Sequence, residues 1–83
     1  MSRAKEVFRR VMTDKDFSQL VSAMKSCEEI KIEREMQGVY VAVSTVPATP
    51  VWECSMLVRV QTQDRNVYST QFFKSVGEMR RYL

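Results

Sequence analysis

The chain has 83 residues, 45% hydrophobic and 28% charged, with 13 basic side chains against 10 acidic ones for a formal net charge of +3. That length suits one small globular domain and not two, and no apolar run approaches the roughly 20 residues that cross a bilayer. Histidine is absent, there are only two cysteines and no CxxC, so the chain lacks the several Cys and His ligands a zinc site draws on and the usual base of a Ser or Cys nucleophile, and no metal, cofactor or catalytic role is expected.

Met1-Ser2-Arg3-Ala4-Lys5-Glu6 lacks the apolar stretch of a secretory signal, which points to a cytoplasmic protein or an excised fragment of one. Cys27 and Cys54 are then expected as two buried thiols in a reducing compartment. Lys5 to Met12 fits two descriptions. Val7, Arg9 and Val11 alternate with Phe8 as in a strand, while Phe8, Val11 and Met12 also stand at helical spacing; a chain break at Thr13 favours the strand.

Thr13 precedes Asp16 by three residues, the spacing of a capping box, with Met12 and Phe17 placed as a hydrophobic staple. Phe17, Leu20, Val21, Met24 and Cys27 then form one apolar stripe, predicting a helix over 14–27. Asp14 and Asp16 in its first turn and Lys25 in its last favour the helix dipole. Those carboxylates are explained by the helix entrance, and Glu28 and Glu29 by a solvated corner.

Ile30 and Ile32 alternate with charged neighbours as a half-exposed strand, and Gln37-Gly38 suits a turn. Val39 to Val43 is apolar on both sides, as in a central strand. Thr45 to Pro50, with Pro47 and Pro50, is expected as a loop. Trp52, Cys54, Met56, Val58 and Val60 make the inner face of a long strand, Trp52 capping the core. Gln63 to Asn66 is a polar turn, and Val67 to Phe73 its hairpin partner. Ser75 and Glu78 repeat the capping-box spacing ahead of a last helix carrying Val76, Met79 and Leu83. The expected fold is α+β: an antiparallel four- to five-stranded sheet with two helices on one face.

This order, with Val7-Phe8-Arg9-Arg10-Val11, the capped helix to Cys27, Ile30 to Arg34, Tyr40 to Val43, Trp52 to Val60 and Phe72 to Ser75, resembles the kinase-associated domain 1 of Ser/Thr protein kinases. It is similar also to the C-terminal domain of the AMP-activated kinase catalytic subunit and to the phosphatase-interaction domain of plant calcineurin-B-like-interacting kinases. The loop at Thr45 to Pro50 and the turn before Val67 are shorter than usual there. The resemblance implies a non-catalytic regulatory domain that docks on anionic phospholipid, restrains a kinase domain, or holds a partner subunit or phosphatase.

Arg9, Arg10, Lys15, Arg34, Arg59, Arg65, Arg80 and Arg81 are the candidate anion- or membrane-binding residues, with Glu6, Glu33, Glu35 and Glu78 interleaved among them. Basic clusters near anionic lipid gain about 1 kcal/mol per charge. A protein partner or an anionic membrane surface is favoured over nucleic acid, because Tyr40, Phe72 and Trp52 are all expected in the core rather than exposed for stacking on bases. A stand-alone adaptor or inhibitor, viral or bacterial, that binds a host factor is the runner-up, and a nucleic-acid-binding module stays open because of the charge.

Overall fold

A computed structural model describes residues 3–48, 50 and 53–83. Seven elements follow in chain order: α1 (Arg3–Val11), α2 (Asp14–Ser26), β1 (Lys31–Met36), β2 (Val39–Pro47), β3 (Met56–Asp64), β4 (Val67–Phe73) and α3 (Val76–Tyr82). The four strands form an antiparallel meander in the order β1-β2-β3-β4. The α+β class and its four-stranded sheet are as expected, with the helices packed on the sheet and a third helix added to the two foreseen.

The addition is α1. Val7 to Val11, likened above to an opening strand, is helical because Ala4, Val7, Phe8 and Val11 fall at offsets of three and four and present one stripe to the sheet. Val7 and Phe8 are buried, and Ala4 and Val11 pack at the edge of the same core. The break at Thr13 is the entrance of α2 and can follow a helix as well as a strand. Thr13 Oγ1 accepts from the Asp16 amide at 3.1 Å and Asp16 Oδ2 accepts from the Thr13 amide at 3.0 Å, a complete capping box.

Along the strands, side chains alternate strictly between two faces. Ile32, Val39, Val41, Val43, Val58, Val60 and Phe73 point to the helices and, with Phe8, Leu20, Val76 and Met79, make the core. Each such side chain, fully buried, contributes roughly 1.5–3 kcal/mol. The β1–β2 turn is Gln37-Gly38, both with positive φ (53° and 79°), the backbone that a two-residue hairpin turn needs to match the strand twist. At the other end Tyr82 ties three elements together: its hydroxyl accepts from Gln71 Nε2 at 3.1 Å, its ring lies 5.4 Å from that of Phe73, and Lys5 Nζ sits 4.4 Å above it.

Three boundaries differ from expectation. β2 runs through Thr45 to Pro47, since the Thr45 amide donates to Ile30 and the proline comes only at the last position, where the ladder asks least of it. Thr45 Oγ1 is buried, donating to Glu28 O at 2.6 Å and accepting from the Ile30 amide at 2.9 Å. The long strand begins at Met56, after Cys54, and extends through Asp64, leaving Arg65-Asn66 as the turn. Trp52, expected to cap the core, lies outside the described residues.

Cys27 and Cys54 are not buried thiols. They are joined as a disulfide, Cα to Cα 5.6 Å, with Cys54 exposed and Cys27 half-buried. Both take a positive φ (56° and 50°), Cys27 as the left-handed cap that ends α2 and Cys54 in the connection before β3. The bond therefore staples a helix end to the β2–β3 connection.

Candidate docking surfaces

The fold splits the eight basic candidates. Arg9, Arg10, Lys15, Arg80 and Arg81 stand on the three helices, Arg59 on the opposite face of the sheet, Arg65 in the β3–β4 turn, and Arg34 on the edge strand β1. Arg34 is committed to structure: Nη2 lies 3.0 Å from Asp16 Oδ1, and that carboxylate is buried. It is therefore removed from the anion-binding set. Arg9 Nε donates to the Leu83 carbonyl, which ties α1 to the end of α3. Arg80 is 3.9 Å from Asp14 and lies 4.2 Å over the Phe17 ring, so its charge is half spent and its stem is held. Arg10, Lys15, Arg59, Arg65 and Arg81 make no side-chain ion pair or hydrogen bond among the described residues.

A groove runs between α2 and α3. Phe17, Val21 and Met24 from α2 and Val76 from α3 give it an apolar floor, and Lys25, Lys74 and Arg80 stand along its rim. Its main part encloses about 610 Å³, and an adjoining lobe of about 350 Å³ shares Val21, Lys25, Val76 and Gly77. Asp14 is the one carboxylate among the lining residues, and it faces Arg80. Gly77 keeps the groove open. A Cβ built there would meet only Arg81 Nη1 at 3.6 Å and Ser75 Oγ at 3.9 Å, so nothing in the fold requires a glycine at that position. The Ser75 cap that starts α3 is formed, its Oγ accepting from the Glu78 amide at 3.0 Å, while Glu78 reaches back to the Lys74 amide.

Sequence periodicity assigned Val21 to the buried stripe, yet it is 39% exposed, at the rim of that stripe where α3 does not reach it. Lys25 and Lys74 were not among the eight candidates. The signal for Lys25 was its place four residues after Val21 on the same helix face.

The second exposed surface is the sheet face away from the helices. Tyr68 and Phe72 point outward there, 72% and 55% exposed, and Tyr40 lies half-buried on the same face. This corrects the expectation that Phe72 and Tyr40 fill the core: Phe73 takes the inward place and the period of two sends Phe72 out. Burial, together with the Glu33 carboxylate beside it, pushes the Tyr40 phenol above its ordinary value of 10.0.

A third feature is a cleft of about 270 Å³ of mixed polar and apolar lining between the start of α1 and the strands β3 and β4, with Arg3 and Asp64 4.0 Å apart at its wall. Among the described residues no helix is long and apolar enough to cross a membrane. Comparison with family models, curated proteins and solved structures gives no match to the chain. The class of protein is therefore set by fold and surface alone: a small α+β domain with a cation-rimmed apolar groove on its helical side.

Proposed function

We propose that the chain is a non-catalytic docking domain, regulatory in the style of kinase-associated domains, that binds an acidic protein segment in the groove between α2 and α3. The groove itself carries this reading. An apolar floor of Phe17, Val21, Met24 and Val76 under a rim of Lys25, Lys74 and Arg80 is complementary to an amphipathic helix with acidic flanks, the arrangement by which helices seat in grooves. The partner would be a kinase domain, a partner subunit or another protein presenting such a helix. The absence of histidine from the sequence supports a role without acid–base chemistry.

A second reading, docking on anionic phospholipid, draws on the same cations and on the exposure of Val21 among them. A cytoplasmic, membrane-peripheral setting belongs to this proposal. The Cys27–Cys54 bond provides its check, because disulfides persist in oxidising compartments and a reducing cytoplasm would hold the pair as thiols.

Sedimentation with anionic and neutral vesicles at physiological salt, beside titration with an acidic amphipathic peptide, separates the two readings. Peptide binding that is lost in Lys25→Glu/Arg80→Glu, without vesicle binding, supports the protein partner. Vesicle binding lost in the same variant, without peptide binding, supports the membrane. Neither binding removes the groove as a docking site.

A further inference from the structure

Across the open face of the sheet, strand pairing sets Lys31, Ser44, Arg59 and Phe72 side by side in one row, one residue from each strand. Ser44 is 3% exposed, and its Oγ has no hydrogen-bond partner among the described residues. The same holds for Arg59 Nε on the next strand. A buried hydroxyl and a buried guanidinium N–H with nothing to bond are rare in folded proteins, because each gave up water to be there. The two residues are direct partners across β2 and β3, so both unpaired donors lie on the same row. Lys31 flanks them from β1, its ammonium 3.5 Å from Glu33 and in hydrogen-bonding reach of the Tyr40 phenol.

Phe72 ends the row with its ring exposed, one strand from Arg59 and so about 5 Å away across the ladder. Beyond it the face continues along β3 and β4 with Gln61 and Thr70, then Gln63 and Tyr68, side chains that donate and accept without charge. Gln63 Nε2 already bonds the Tyr68 hydroxyl at 3.1 Å, which steadies that second ring. The acidic residues of the face, Glu33 and Glu35, are confined to β1 at the far edge.

We infer that this face binds nucleotide units, with the phosphate seated over Ser44 and Arg59 and flanked by Lys31, and the base stacked on Phe72. An anion supplies the acceptor that Ser44 Oγ and Arg59 Nε lack. An aromatic ring one strand away matches the reach from a phosphate to its own base across one sugar. Stacking on exposed rings is how single strands are held without regard to sequence. Tyr68, four residues along the same strand, offers a platform for a second base. The ligand is then a free nucleotide or a single strand of nucleic acid, which share this chemistry. Lys31, Ser44, Arg59 and Phe72 stand apart from the groove between α2 and α3, and the inference does not depend on the docking reading above.

The test is fluorescence anisotropy with a labelled single-stranded RNA of about eight nucleotides, within the span of small single-strand sites, and adenosine monophosphate as competitor. The wild-type chain is compared with Arg59→Gln, Phe72→Leu, Ser44→Ala and the groove variant Gly77→Leu. Thermal melts and circular dichroism confirm that each is folded; Phe72 and Gly77 are exposed, so these two carry the test if Ser44→Ala fails to fold.

Phe72→Leu is expected to weaken binding about 5- to 150-fold, the range for losing one stacked base. Arg59→Gln is expected to weaken binding and reduce the salt slope by about one. Gly77→Leu should change nothing. Displacement of the RNA by the monophosphate at comparable concentration identifies a free nucleotide as the ligand, and failure to displace identifies the single strand. No RNA binding at low salt overturns the inference. So does binding indifferent to Phe72→Leu and equally competed by a phosphoserine peptide, which would leave a plain anion seat.

Discussion

Asp16 serves two structures with two oxygens. Oδ2 closes the capping box on the Thr13 amide, and Oδ1 holds Arg34 across from β1, so one buried carboxylate both starts α2 and fixes that helix to the sheet edge. Asp16→Ala is expected to cost about 1–3 kcal/mol, the sum of a lost cap and a lost, partly screened ion pair, measured by chemical denaturation. Asp14→Ala, two residues away on an exposed carboxylate, should leave stability nearly unchanged. Tyr40 gives a pH signature. Its phenol is raised in the folded chain, so the native state holds its proton after the unfolded chain has released it. The stability it allows is complete below pH 10 and is lost as pH rises through the folded value. Denaturation of wild type and Tyr40→Phe across this alkaline range should show a steeper decline in wild type; parallel curves would refute the role. The cap was legible in the sequence because Thr13 and Asp16 are three residues apart. The Arg34 pairing was not, since it joins residues 18 apart and depends on the β1 register.

At the scale of elements, local periodicity was a good guide wherever one pattern held alone. α2, the β3–β4 hairpin and the Ser75 cap of α3 were all legible in that way. It failed at α1, where Val7, Phe8 and Val11 satisfy strand and helix together and the stripe is settled by Ala4, a residue too small to register as apolar signal. It failed also at Thr45 to Pro47, where prolines suggested a loop but the backbone bonds of Thr45 extend the strand. The Cys27–Cys54 pairing is a long-range fact, with 27 residues of sequence separation, that no spacing rule supplies. Closing a loop of that length stabilises by about 3–4 kcal/mol in the chain-entropy description. Reduction, or Cys54→Ser, should lower stability by about that amount in chemical denaturation, and an unchanged midpoint would show the staple to be idle. Gln37 sits at φ 53° in a turn that asks for a left-handed residue. Gln37→Gly should therefore raise the thermal midpoint modestly, equivalent to about 0.5–1 kcal/mol.

For the whole molecule, the decisive property is how charge and apolar surface are divided between two sides. A composition of +3 left open whether the cations gather or disperse. They disperse: Arg34 is spent on Asp16, Arg59 faces the open sheet, and the helical side combines Lys25, Lys74 and Arg80 around exposed apolar floor. That combination could not be seen along the chain, because α2 and α3 are separated by the entire sheet in sequence and meet only in the fold. The most direct measurement is a calorimetric titration of the wild-type chain and Gly77→Leu with an acidic amphipathic helical peptide. Position 77 accepts a side chain without backbone strain, so the variant fills the groove while the fold persists. The expected result is saturable binding by wild type, weakened by salt and lost in Gly77→Leu at an unchanged melting temperature. Equal binding by both chains, or none by wild type at low salt, would contradict a docking groove between α2 and α3.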